Sequence, residues 1–140
     1  MTRNIGRLKN VKIDRYFWKD DTQTTTWKGP VTNEASLGTL TPIASAAKLD
    51  KSNVIGQLIL RNLVLLRGTY TGSGGGSATH WMLATLYTND SDNKLSAVVA
   101  NDPWTGWQVL INPQTKRVVS PANFPLADFK IDAYQAVMLD

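Results

Sequence analysis

Hydrophobic and polar positions along the chain divide it into one helical segment and a series of strands. Residues 8–19 (LKNVKIDRYFWK) alternate in part, with Val11 and Ile13 apolar and Tyr16, Phe17 and Trp18 clustered, which suggests a strand. Asp20 to Thr41 is dense in turn formers, including Gly29, Pro30, Asn33 and Gly38, and predicts irregular structure. Asp50 is placed to cap a helix over KSNVIGQLILRN. In that helix Val54, Ile55, Leu58 and Ile59 fall at helical spacing as one buried face, and Asn62 is its stop. The next run, Leu63 to Tyr70 (LVLLRGTY), is short and apolar and predicts a buried strand. Leu58, Ile59, Leu63 and Leu65 are assigned to the core.

Thr71 to Ser77 (TGSGGGS) cannot pack by itself. A native loop beside a site and an inserted linker both fit it. Ala78 to Tyr87 then reads as a strand, Asn89 to Asn93 as a turn and Leu95 to Asn101 as the returning strand. A second hairpin follows, from Trp107 to Ile111 through Asn112 and Pro113 to Arg117–Val119. Pro121 to Phe129 has room for a helical turn, and Tyr134 to Leu139 is a last strand. One helix followed by about five strands predicts a single α+β domain dominated by antiparallel sheet.

Composition narrows the function classes. An apolar fraction of 42% with 19% charged residues is that of a soluble globular chain and argues against disorder. No apolar stretch is long enough to span a bilayer. Met1 to Lys19 has no apolar core of a secretory signal, so none is expected within these residues; a signal removed and one that never existed both fit. The net charge of +4 is concentrated early, at Arg3, Arg7, Lys9, Lys12, Arg15 and Lys19. No nucleic-acid motif accompanies these residues, and a solvated basic segment is the expectation. Gly74 to Gly76 are not followed by the Lys-Ser/Thr of a phosphate loop. With no cysteine and one histidine, disulfides, thiolate metal sites and multi-histidine metal sites are excluded within these residues. No metal or cofactor is expected.

The single histidine carries the candidate chemistry. With the hairpin turn centred on Ser91, Tyr87 faces Leu95, Ala84 faces Val98, Met82 faces Ala100 and His80 faces Asp102. Directly opposed residues have Cβ atoms about 5 Å apart, within reach of an imidazole–carboxylate hydrogen bond. A shift of one residue would put the two side chains on opposite faces. Paired in this way, Asp102 fixes the imidazole tautomer and His80 takes a proton from a nucleophile. Structural readings stand beside this one: Asp102 before Pro103 is a turn initiator in its own right, and Trp104 and Trp107 equally suit a groove wall or a core cap.

The Gly-rich loop, THWMLATLY, VVANDPWTG, a further hairpin and FPLADF together resemble the C-terminal half of papain-like cysteine peptidases, in the bacteriocin-processing and effector-type branch. The likeness covers roughly residues 50 to 130. It implies a papain-like fold, hydrolysis of peptide or amide bonds, His80 as general base and Asp102 as its orienter. Trp81 and Trp104 fall on flanking aromatics, and Trp81, Trp104, Trp107 and Gly76 are candidates for substrate binding. The implied partner is a peptide or protein, and the implied setting a soluble protein, secreted or delivered as an effector. Two departures qualify the likeness. Thr79 stands where the family has glycine, and the nucleophilic cysteine at the head of a long helix is missing. Three explanations fit the second: replacement at Ala35, Ser36, Ala44 or Ser45; a nucleophile outside these residues; or loss of the chemistry. The alternatives to a hydrolase are a pseudo-peptidase that binds a peptide or protein and an effector or toxin domain using the same dyad.

Overall fold

Val64 and Leu66, Met82 and Ala84, Val98 and Ala100, and Val109 and Ile111 are all buried two residues apart, the period of strands that turn one face to a core. The computed structural model describes residues 18–19, 24–25 and 38–139. In chain order its strands are β1 (Trp18–Lys19), β2 (Thr24–Thr25), β3 (Gly38–Leu40), β4 (Ala44–Ser45), β5 (Leu63–Thr71), β6 (Ser77–Asn89), β7 (Leu95–Asn101), β8 (Gln108–Ile111), β9 (Val118–Ser120) and β10 (Lys130–Leu139). A helix, α1 (Val54–Ile59), lies between β4 and β5. The chain forms two units, and the larger, Pro42–Ala136, contains all the chemistry described below. In the other unit β1 pairs with β2, and β3 pairs with Val137–Leu139 at the end of β10, both antiparallel.

In the larger unit the strand order is β10–β5–β6–β7–β8–β9, and β4 pairs with β10. Hairpin connections make β5 through β9 antiparallel to their neighbours. The sheet also closes on itself: Arg117 bridges Lys130, and the Ile131 amide donates to the Lys116 carbonyl at 3.0 Å. This curled sheet wraps a core in which Leu66, Met82, Ile111, Phe129 and Ile131 are fully buried together with Leu49, Val54 and Ile55. Each such side chain contributes about 1.5–3 kcal/mol when removed from water, against about 0.5–1.5 kcal/mol net for a hydrogen bond. The apolar interior therefore holds the unit together, and its polar end can be specialised.

The architecture corrects the papain-like α+β expectation of about five strands with one or two helices. Among the described residues the single helix has six residues, and antiparallel strand dominates. The helix is shorter than its apolar spacing predicts because Asn53, not Asp50, caps it: Asn53 Oδ1 accepts from the Val54 amide at 2.6 Å. It ends before Arg61, whose φ of 61° no helix accommodates. Ile59 is consequently exposed, Leu58 only half-buried and Leu63 intermediate, while Leu65 is buried. The stretch expected to be irregular contains β2 and β3, residues 121–129 form turns rather than helix, and β10 begins at Lys130 instead of Tyr134. Of the strand expected over residues 8–19, only β1 lies within the described residues. No helix among the described residues is long and apolar enough to cross a membrane.

Candidate functional site

The three core stripes of β5, β6 and β7 continue to one end of the barrel and there change character. On β5, Val64 and Leu66 are followed at the same spacing by Gly68; on β6, Ala84 and Met82 lead back to His80; on β7, Val98 and Ala100 lead to Asp102, just beyond the strand. Gly68 pairs directly with His80. The β6–β7 register sets Ala84 opposite Ala100 and Leu83 opposite Asn101, two residues from the pairing expected with a turn centred on Ser91. The turn lies one residue further along, with Asp90 donating to the Lys94 carbonyl at 2.8 Å. An even shift preserves the faces, so His80 becomes the diagonal neighbour of Asp102 instead of its direct partner. Long side chains reach across that diagonal, and His80 Nε2 lies 2.5 Å from Asp102 Oδ1.

Asp102 is held by the loop it opens. Its amide donates to the Trp107 carbonyl at 2.8 Å, and its carbonyl accepts from Gly106 at 2.9 Å. Pro103 suits the first turn position, and Gly106 adopts a φ of 75°, where a side chain is disfavoured. The carboxylate, only 1% exposed, accepts from the Trp104 amide at 3.3 Å, the Thr105 amide at 3.0 Å and the Thr105 hydroxyl at 2.6 Å. The Thr105 hydroxyl in turn accepts from the Trp107 amide at 3.1 Å. Burial pushes the Asp102 carboxyl up, but the Thr105 hydroxyl, the His80 ring and the Thr105 amide together outweigh it. They hold the group below the ordinary carboxylate value. Asp102 is therefore ionised at neutral pH and can only accept from Nε2. A neutral imidazole must then carry its proton on Nε2 and its lone pair on Nδ1. Among the described residues no hydrogen bond engages Nδ1.

Packing fixes the ring. Phe129 meets it edge-on, with centroids 5.9 Å apart at 75°, and Phe124 braces Phe129 at 6.5 Å. Gly68 makes this possible, because a Cβ there would collide with the Phe129 ring and the Lys130 carbonyl. On the open side Trp104, 63% exposed, tilts over His80 with centroids 6.0 Å apart and stands 6.5 Å from the Tyr70 ring.

The structure thus brings His80, Asp102 and Trp104 together. Trp107 joins through its backbone and is itself partly exposed. Trp81 pairs with Arg67 and, one residue along β6 from His80, projects from the other face. Gly76 lies in the β5–β6 turn, accepting from the Gly72 amide at 2.8 Å, and shares no contact with His80. Ala44 and Ser45 lie on β4 against Tyr134 and Ala133 and head no helix; Ala35 and Ser36 lie outside the described residues. Sequence reasoning overlooked Gly68, Thr105 and Phe129. A glycine inside an apolar strand is the usual sign of a close backbone approach, and a threonine three residues after an Asp-Pro is a turn signal that was readable. Phe129 carries no such mark. No cluster of three metal-ligating side chains occurs among the described residues. No family model matches the chain, and no curated protein or solved structure does either.

Proposed function

We propose that this domain supplies the base-and-orienter half of a cysteine-peptidase-type amide hydrolase, with His80 as general base and Asp102 as its orienter. One observation carries the reading: a buried carboxylate is spent on one imidazole nitrogen, which leaves the other without a hydrogen-bond partner among the described residues and open to act as an acceptor. A turn alone has no need of this arrangement. In the reaction, Nδ1 takes the proton of a thiol, the thiolate attacks the amide carbonyl, and the imidazolium gives the proton to the leaving amine. Nδ1 then takes a proton from water, which attacks the thioester, and the imidazolium returns it to the departing thiolate as the acid is released. Asp102 stabilises the imidazolium without becoming protonated. The 140 residues contain no cysteine, so the thiol comes from outside them. The resemblance of THWMLATLY and NDPWTG to papain-like peptidases supports the same assignment.

A second reading has its own support. Trp104 is largely exposed beside His80, and with no thiol in the chain the same surface serves as a peptide-binding module. Complementation with a small thiol separates the two. The chain is mixed with 2-mercaptoethanol, a thiol with no amine to trap the acyl group, and a chromogenic N-acyl amino-acid anilide. Hydrolysis above the rate of thiol alone, abolished by His80→Ala and reduced by Asp102→Asn, is the expected result. General-base assistance is worth about 10²–10⁴-fold. A rate equal to that of His80→Ala refutes the hydrolase reading. Peptide binding lost in Trp104→Ala and retained in His80→Ala would then establish the binding module.

A further inference from the structure

Beyond the dyad, an open cleft of about 390 Å³ lies where the β5–β6 turn, the start of β9 and the start of β10 converge. Its lining includes Tyr70, Thr71, Ser77, Arg117, Asp128 and Lys130. Three chain segments, the β5–β6 hairpin, Arg117 and Asp128–Lys130, supply this set, and it is rich in donors: two cationic side chains and three hydroxyls. The Lys130 side chain makes no hydrogen bond or ion pair among the described residues. Arg117 spends one N–H on the Asp128 carbonyl at 3.1 Å, which leaves most of its planar fork unengaged.

Asp128 is the only acid in the lining, and its carboxylate is occupied, accepting from the Thr71 amide at 2.8 Å. The Thr71 hydroxyl and amide, with Arg117 nearby, keep it below the ordinary carboxylate value. Two cations and one fixed anion leave a single net positive charge. That balance suits a monoanion better than a dianionic phosphoryl group, which would face Asp128 with its second charge.

Tyr70 joins this cleft to the dyad. It lines the cleft, and its ring stands 6.5 Å from Trp104, which is 6.0 Å from His80. An extended peptide advances about 3.3 Å per residue, so a chain lying along Trp104 and Tyr70 enters the cleft within about four residues of His80.

We infer that the Arg117–Lys130 cleft is a subsite for a carboxylate of the bound peptide, so that this domain selects acidic peptides. The inference rests on the reading of the His80–Trp104 surface as a peptide site and adds its specificity. An aspartate or glutamate side chain and a peptide C-terminus offer the same group, and the cleft takes it between the Arg117 fork and Lys130 with the Ser77 hydroxyl.

The test uses the whole chain. Binding of N-acetyl-glutamate amide, N-acetyl-glutamine amide and N-acetyl-alanine is followed by NMR at the Thr71, Ser77 and Lys130 amides. Short peptides differing only in Glu or Gln, and one carrying phosphoserine, are then compared by fluorescence anisotropy. The glutamate compound is expected to shift these amides saturably and the glutamine compound to leave them in place. The alanine compound reports whether a terminal carboxylate serves as well. The Glu peptide should bind about tenfold more tightly than its Gln counterpart, the scale of one lost charge-assisted hydrogen bond. Lys130→Gln and Arg117→Gln should each erase that preference, while Asp128→Asn should enhance it. Lys130→Gln, whose side chain makes no bond among the described residues, guards against Arg117→Gln loosening the seam that its bond to the Asp128 carbonyl supports.

Equal affinity for Glu and Gln peptides, with both weakened by Trp104→Ala, would overturn the subsite and leave the peptide reading standing. Tighter binding of the phosphoserine peptide would overturn the monoanion assignment. If N-acetyl-glutamate amide binds in the cleft but no peptide binds at all, the peptide reading fails and the assignment of the cleft to a peptide fails with it.

Discussion

Two loops of the barrel are near copies of each other, and only one is coupled to a histidine. Asp102–Trp107 (DPWTGW) and Asn112–Arg117 (NPQTKR) both open on a side-chain acceptor followed by proline. In each, the first amide donates to the carbonyl of the last residue, at 2.8 Å from Asp102 and 2.9 Å from Asn112. In each, the first carbonyl accepts from the fifth residue, Gly106 or Lys116, which has a φ of 75° or 63°. The opening side chain then accepts from the third and fourth amides: Trp104 and Thr105 in one loop, Gln114 and Thr115 in the other. An asparagine oxygen is enough to build this turn. The negative charge at position 102 is therefore not required by the loop, and its buried contact with His80 is the feature left to explain. The pair separates what backbone chemistry demands from what the site adds.

Five substitutions sharpen or break that contrast. Asp102→Ala strands two amides, a hydroxyl and an imidazole in a buried setting and should cost about 2–4 kcal/mol. Asn112→Ala, losing only the turn bonds, should cost about 1 kcal/mol. Urea unfolding measures both, and equal costs would dissolve the distinction. Next in size is Gly68→Ala, which forces a methyl group against Phe129 and should cost about 1–3 kcal/mol; it should also move the ring resonances of His80. A leucine-sized response at neighbouring sites with no change at His80 would show that Phe129 does not position the imidazole.

Asp102→Asn keeps the turn and removes the charge. Because the folded Asp102 carboxyl lies below the ordinary aspartate value of 3.8, its contribution is fully present above about pH 4 and is lost as pH falls through the folded value. The stability gap between the wild-type chain and Asp102→Asn should therefore be constant from pH 7 to about pH 5 and shrink below pH 4. A gap that widens on acidification would mean that the carboxyl is protonated in the folded state. The smallest effect belongs to Asn112→Asp, which restores a carboxylate to the twin loop without a histidine. It should change stability by no more than about 0.5 kcal/mol, and chemical denaturation at neutral pH checks this.

The strands of this barrel were legible wherever period-two alternation met strong turn signals. Leu95 to Asn101 has the bounds that its pattern predicts, and the turn at Asn112 and Pro113 falls where those residues place it. The juxtaposition of His80 with Asp102 was legible because parity at the site is preserved: the ladder's irregularities, between Thr88 and Asn89 and between Ala84 and Leu86, offset one another and leave a two-residue slip there. The slip itself was hidden in the side-chain network of the Asp90 turn, where Asp90 Oδ1 accepts from the Asp92 and Lys94 amides at 2.9 Å each. Barrel closure was not legible, since the Arg117–Lys130 bridge joins segments with no shared pattern. Trp81 illustrates a limit of likeness: adjacency to His80 in the sequence places it on the opposite face of the strand.

The most direct test of the central claim is the tautomer of His80, read from its ring nitrogens by long-range proton–nitrogen NMR at a pH above its titration. The account predicts a proton on Nε2, donated to Asp102, and an unprotonated Nδ1 with the resonance of a free base, a pattern that Asp102→Asn should disturb. A proton on Nδ1 in the wild-type chain, or a tautomer mixture unaffected by Asp102→Asn, would contradict it and reduce Asp102 to the turn former that its twin already is.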